Sequence, residues 1–327
     1  MTTPNGSSTL RHRPRRRSSA SSIASQLNDV VQQVEHKVEQ ALSLLGWDDL
    51  PPWRRDNAYI LSGYRADRNS YANSVKSIFR IHNETVNIWS HLLGALISVA
   101  GAVYLYCVIK PRYDSATEQD VAVFACFFAG AVICLGMSAT YHALLDHSEE
   151  VAKWGNKLDY TGIVALIVGS YAPALYYGFY CQPRLMTIYM FLISFLGTGC
   201  AMVSWVERFR TPELRPYRAA MFIALGCSGF VPVLHGLRLY GWQGLEDRMS
   251  LSWVIANGSS NIFGAVLYAL RFPERMSPGT FDIWGSSHQI FHCFVVIAFA
   301  QLLWGMAKAF DYHHGIMAAQ CLDEPIR

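Results

Sequence analysis

Between residues 86 and 309 the chain is a succession of seven apolar segments parted by short polar breaks, and few folds can accommodate that pattern. The segments run over 86–109, 121–145, 158–179, 185–206, 219–239, 251–270 and 288–309. Each is close to the ~20 residues that an α-helix needs to cross a bilayer core. A soluble protein needs charge over its whole surface, yet only 16% of these 327 residues are charged and 52% are hydrophobic, against roughly 25% charged in an average soluble domain. The expected fold class is therefore an all-α membrane protein, a seven-transmembrane helix bundle. A soluble globular domain, a coiled coil and a disordered chain are excluded. Pro173 and Pro232 are expected to kink the third and fifth segments, since each removes a backbone donor.

Three regions follow from the pattern. Residues 1–22 hold five arginines between Arg11 and Arg17 in a Ser-rich setting and read as a disordered cytosolic tail. Residues 23–49 read as an amphipathic helix and linker. There Ile23, Leu27, Val30, Val34, Val38, Ala41 and Leu45 recur at three- and four-residue steps opposite a polar face, which makes this helix a candidate docking element for a cytosolic partner. Residues 50–327 carry the seven spans. The basic residues are not interleaved with aromatics along a groove, so no nucleic acid is expected as partner. No apolar stretch of signal-peptide type follows the basic run, and no cleaved leader is expected.

Lys and Arg in the short loops give the orientation. From Arg65 onward twelve lie on the side of the N-terminal tail and seven on the other. The N-terminus is expected in the cytosol and the C-terminus outside, in the plasma membrane or endoplasmic reticulum. Six of the eight cysteines fall within or at the edge of apolar segments and read as small core residues. Cys181 and Cys321 share the outer side, and whether they pair stays open.

Orientation also assigns a depth to the polar groups inside the apolar segments. His142 ends the second segment at the cytosolic edge, with Ser138 one turn deeper, and Asp159 is expected in the first turn of the third segment. His288 and His292 open the seventh at a spacing of four, which puts both imidazoles on one helical face. Such groups in lipid need partners, and a metal ion is the most economical one. Three imidazoles with one open position is the ligand pattern of catalytic zinc. A lone histidine near a helix end is also a common interhelical hydrogen-bonding residue, and that reading is taken for His91 and His235.

The runs Asp56-Asn57-Ala58-Tyr59-Ile60 with Gly63-Tyr64-Arg65, then Ser77-Ile78-Phe79-Arg80-Ile81-His82-Asn83-Glu84-Thr85-Val86-Asn87-Ile88-Trp89-Ser90-His91, resemble the first motif of a known family. Ser138-Ala139-Thr140-Tyr141-His142 with Asp159-Tyr160, and His288-Gln289-Ile290-Phe291-His292, resemble its second and third. This is the progestin and adipoQ receptor family, which includes adiponectin receptors, fungal homologues and bacterial haemolysin-III-like proteins; the chain resembles a fungal-type member. The resemblance implies a Zn2+ ion held by His142, His288 and His292, with Asp159 and Ser138 contacting the metal-bound water or the substrate. It also implies links to signalling and to lipid and zinc homeostasis.

The chemistry expected of such a site is hydrolysis of a long-chain amide. Zinc activates water, Asp159 serves as general base, and Ser138 hydrogen-bonds the developing oxyanion. The substrate is expected to be a ceramide-like membrane lipid and one product a free fatty acid. The alternative is a non-catalytic seven-helix receptor with a structural zinc, signalling through its cytosolic tail. Transport fits less well, because the polar groups gather at one edge and the seventh segment carries Lys308 only at its outer end.

Overall fold

The computed structural model describes residues 26–28, 30–32, 44–317 and 321. The expected tail over 1–22 lies outside the described residues. Of the expected helix and linker over 23–49, residues 26–28 and 30–32 are helical and exposed and belong to a unit separate from 44–327, whereas 44–49 are not helical.

In the second unit a short helix α1 (Tyr71–Ser77) precedes α2 (Thr85–Ile109), α3 (Glu118–Leu144), α4 (Glu149–Gly178), α5 (Pro183–Ser204), α6 (Arg215–Cys227), α7 (Phe230–Met249), α8 (Leu251–Leu270) and α9 (Ser287–Asp311). With α6 and α7 joined end to end, seven helical stretches are long and apolar enough to span a membrane. The described residues contain no strand beyond a single bridge between Leu45 and Tyr64. Large apolar side chains on the spans, among them Ile97, Phe191, Phe195 and Leu234, are more than half exposed. An aqueous surface would disfavour such a belt, and a hydrocarbon surround requires it.

Two spans differ from their expected form. The third begins nine residues early, at Glu149, because Ser148 accepts the Val151 amide and Glu149 and Glu150 favour the positive end of the helix dipole. Asp159 therefore sits ten residues into α4 rather than in its first turn. The fifth is broken between Cys227 and Phe230 rather than kinked at Pro232. That proline falls in the first turn of α7, where its missing N–H has no intrahelical partner to lose. Pro173 lies within α4, which continues through it as one helix.

Small residues let α3 and α4 approach closely. A Cβ added at Gly130 would lie 2.6 Å from the Ala165 carbonyl oxygen, at Gly162 2.8 Å from the Cys134 Cα, and at Gly169 2.7 Å from the Cys126 carbonyl oxygen. Backbones this close are the usual route to helix association in lipid. The second half of α9 packs into an apolar core in which Phe127 and Phe299 stack at 4.9 Å among Tyr177, Leu302, Met306 and Phe310. A disulfide joins Cys181, just past α4, to Cys321. The other six cysteines are free thiols.

Candidate metal centre

At the end of the bundle where α3 finishes and α9 begins, His142, His288 and His292 converge, with candidate ligand atoms all within 4.8 Å of one another. His142 and His292 are buried and His288 is half-buried. The loops and caps around them explain why the two helix ends are held.

The carbonyls of a last helical turn lack intrahelical donors. Here the buried Arg65 guanidinium supplies them, donating to His142 O at 2.6 Å and Ala143 O at 2.9 Å while it also reaches Ser77 Oγ at 2.8 Å. Asp146, fully buried, sits 3.5 Å from Arg65 and 2.9 Å from Arg68. At α9 the buried carboxylate of Glu274 accepts from the Ser287 amide at 2.8 Å, from the Ser287 hydroxyl and from Asn57 at 3.0 Å. Gln289 donates to Asn83 O and Ile283 O, both at 2.9 Å. The segment before α1 and the loop before α2 thus anchor both histidine-bearing helices.

Behind the triad, α2 and the residue before it supply the outer contacts. Glu84 Oε2 lies 2.7 Å from His142 Nδ1 and accepts from Asn87 Nδ2 at 2.6 Å. His292 Nδ1 lies 3.1 Å from Asn87 O. A carbonyl can only accept, so His292 carries its proton on Nδ1 and presents Nε2 as a lone pair. His142 Nε2 is buried with no partner at all. One nitrogen held by an oxygen acceptor and the other left open is the arrangement of a metal-ligating histidine, and the residues present fit a metal ion. Burial pushes the Glu84 carboxyl up, but His142 and Asn87 outweigh it and hold it well below the usual carboxylate range.

Ser138 and Asp159 are both buried and line the same cavity as His288 and His292. Asp159 has the Ser138 hydroxyl and His142 among its polar neighbours. The cavity, of about 310 Å³, is otherwise largely apolar and is lined along α4 from Asp159 to Phe179, on the order of 30 Å at 1.5 Å per residue. Gly226, Gly229 and Phe230, at the break in the fifth span, also line it.

The triad expected from spacing and depth is therefore assembled, with Ser138 and Asp159 beside it. Two neighbours were not expected. Glu84 stood in the first motif without a role, and its spacing of three from Asn87 is the only sequence signal that the two share a face. His91, read as an interhelical residue, does contact another helix, but its partner is a triad member: its ring stacks on His292 with centroids 3.7 Å apart and planes 11° from parallel. His235 does pair between helices, 2.7 Å from the Tyr189 hydroxyl.

Fold and site together define a multi-pass integral membrane protein with a buried histidine triad able to hold a metal ion. Residues 79–303 match the family model described as haemolysin-III related. The chain is 44% identical over 278 residues to the adiponectin receptor protein of Drosophila melanogaster, covering 85% of this chain and 60% of that protein. It is 41% identical over 271 residues to the ADIPOR-like receptor IZH2 of Saccharomyces cerevisiae, covering 83% and 85%. Heptahelical transmembrane protein 4 of Arabidopsis thaliana is 32% identical over 327 aligned positions, covering 77% and 84%. The chain belongs to the haemolysin-III-related family, and it spans about 60% of the length of its fly relative.

Proposed function

We propose that this protein is a zinc-dependent lipid-amide hydrolase that acts on ceramide-like substrates and serves signalling and lipid and zinc homeostasis. One observation carries the reading: two histidines of the triad, His288 and His292, line a long apolar cavity together with the buried Asp159 carboxylate and Ser138 hydroxyl. Zinc bound at the triad supplies water activation and carbonyl polarisation. Asp159 takes a proton from the attacking water and returns it to the nitrogen as the C–N bond breaks. Ser138 donates to the carbonyl oxygen as it gains charge. The carbonyl carbon keeps the oxygen of water, and the products are a free fatty acid and a sphingoid base. The apolar stretch toward Phe179 and Met249 houses the acyl chain, and the broken fifth span offers a side route from the lipid.

In this reading the triad faces the cytosol and the disulfide end faces an oxidising lumen or exterior, at the plasma membrane or the endoplasmic reticulum. The Cys181–Cys321 bond supports that orientation, since disulfides persist in such compartments. The segment over 23–49 then serves a cytosolic partner.

A second reading, a non-catalytic receptor with a structural zinc, is favoured by the relatives that are named as receptors. Asp159→Ala separates the two. In a hydrolase the variant keeps its zinc and loses ceramide turnover by ~10²–10⁴-fold. Unchanged turnover in the zinc-loaded variant favours the receptor.

A further inference from the structure

The short helix α1 reverses the usual amphipathic order. Its buried side chains are two serines, Ser74 and Ser77, and the Ser77 hydroxyl accepts from Arg65. Tyr71 and Val75 share another side of the helix and are 57% and 49% exposed. In the turn that follows, Phe79 is 75% exposed and Ile81 62%. A helix with water on its open side would not bury hydroxyls and display rings. Lys76 and Arg80 are exposed as well, and residues 70–81 include no acidic side chain.

The level of α1 against the spans is fixed at both ends. Ahead of it the Arg68 and Asn69 amides donate to Asp146 O at 2.8 Å and His147 O at 3.0 Å, just past the end of α3, and Tyr71 packs on the His147 ring with centroids 4.1 Å apart. Behind it Trp89 Nε1, in the second turn of α2, donates to Ile78 O at 3.0 Å, and the Phe79 ring meets the Trp89 ring edge-on at 5.9 Å. Trp89 is followed at helical spacing by the exposed Leu93, Leu96 and Ile97 of the first span. Phe79 therefore continues the lipid-facing belt of α2 at its triad end. We propose that α1 and the turn after it lie in the plane of the membrane on the triad side, with Tyr71, Val75, Phe79 and Ile81 among the lipid chains and Lys76 and Arg80 on anionic headgroups. The partner of this face is an anionic phospholipid surface. The assignment holds whether or not the metal centre hydrolyses lipid.

The test uses the purified full chain in nanodiscs of phosphatidylserine and phosphatidylcholine in equal amounts. A small share of one lipid or the other carries a photoactivatable group near the top of its acyl chain. Adducts are mapped by mass spectrometry over residues 71–81, with residues 93–97 of the first span as the lipid-facing reference. Wild type is expected to take adducts over 71–81 from both probes, the phosphatidylserine probe leading by at least about fivefold. Lys76→Glu combined with Arg80→Glu is expected to keep the adducts and lose that preference. The proposal is overturned if 71–81 takes no adduct while 93–97 does, if both probes label 71–81 equally in wild type, or if the double variant keeps the preference. Wild type alone decides the first two outcomes, so they stand even if the double variant fails to fold.

Discussion

Glu84 Oε2 sits 2.7 Å from His142 Nδ1, so a carboxylate one residue ahead of the first span fixes the ring of a histidine at the end of the second. Outer contacts of this kind orient a metal-ligating imidazole and raise its basicity. Glu84→Gln keeps the shape and removes the charge. It is expected to weaken zinc binding by ~10–100-fold while the protein stays folded. Competition with a chelator of known affinity measures this.

Arg65 is buried among the carbonyls of His142 and Ala143, Ser77 and Asp146. Arg65→Ala leaves those carbonyls without donors and Asp146 with Arg68 alone. Breaking a buried pair in this way is expected to cost ~3 kcal/mol. Denaturation in detergent should show this loss for Arg65→Ala, and Arg68→Ala, at a more exposed partner, should lose less.

His82 is buried and its Nδ1 accepts from the Glu84 amide at 3.1 Å. Burial first, and then the Arg65 charge, push its pKa down from 6.5 to about 4. The unfolded chain takes up a proton below pH 6.5 that the folded chain refuses until about pH 4. Stability is therefore full above pH 6.5 and falls as pH drops through that window. His82→Gln is expected to flatten the acid limb of a stability-against-pH curve by up to one proton.

The tight α3–α4 seam gives a check on the fold itself. Gly162→Val puts its side chain against the Cys134 backbone, with the Cβ alone at 2.8 Å from Cα. Backbone cannot yield as a flexible side chain does, so this variant is expected to lose folded yield and melt earlier. Gly136→Ala, whose added methyl meets open space, is expected to behave as wild type. Size-exclusion profiles and melting curves compare the two.

Seven spans were legible because hydrocarbon imposes a length and an apolar composition that no other environment demands. The ends were less so. Glu149, Glu150, Lys153 and Lys157 make the first turns of α4 polar, and an apolarity criterion passes over a helix that continues beyond the membrane core. The triad could be read because His288 and His292 share a face and His142 shares their depth. His91 could not be read this way, since depth and a lone position do not say which ring lies against it. Arg65 and Glu274 act through loops whose course no periodicity encodes. The Cys181–Cys321 pair required the fold to bring together positions 140 residues apart.

Ceramide turnover by the purified chain through zinc removal and zinc return tests the central claim most directly. A hydrolase working through His142, His288 and His292 should lose turnover when chelated, regain it with one zinc per chain, and show neither response in His292→Ala. Turnover that persists in zinc-free protein, or that is absent from protein carrying one zinc per chain, would contradict it.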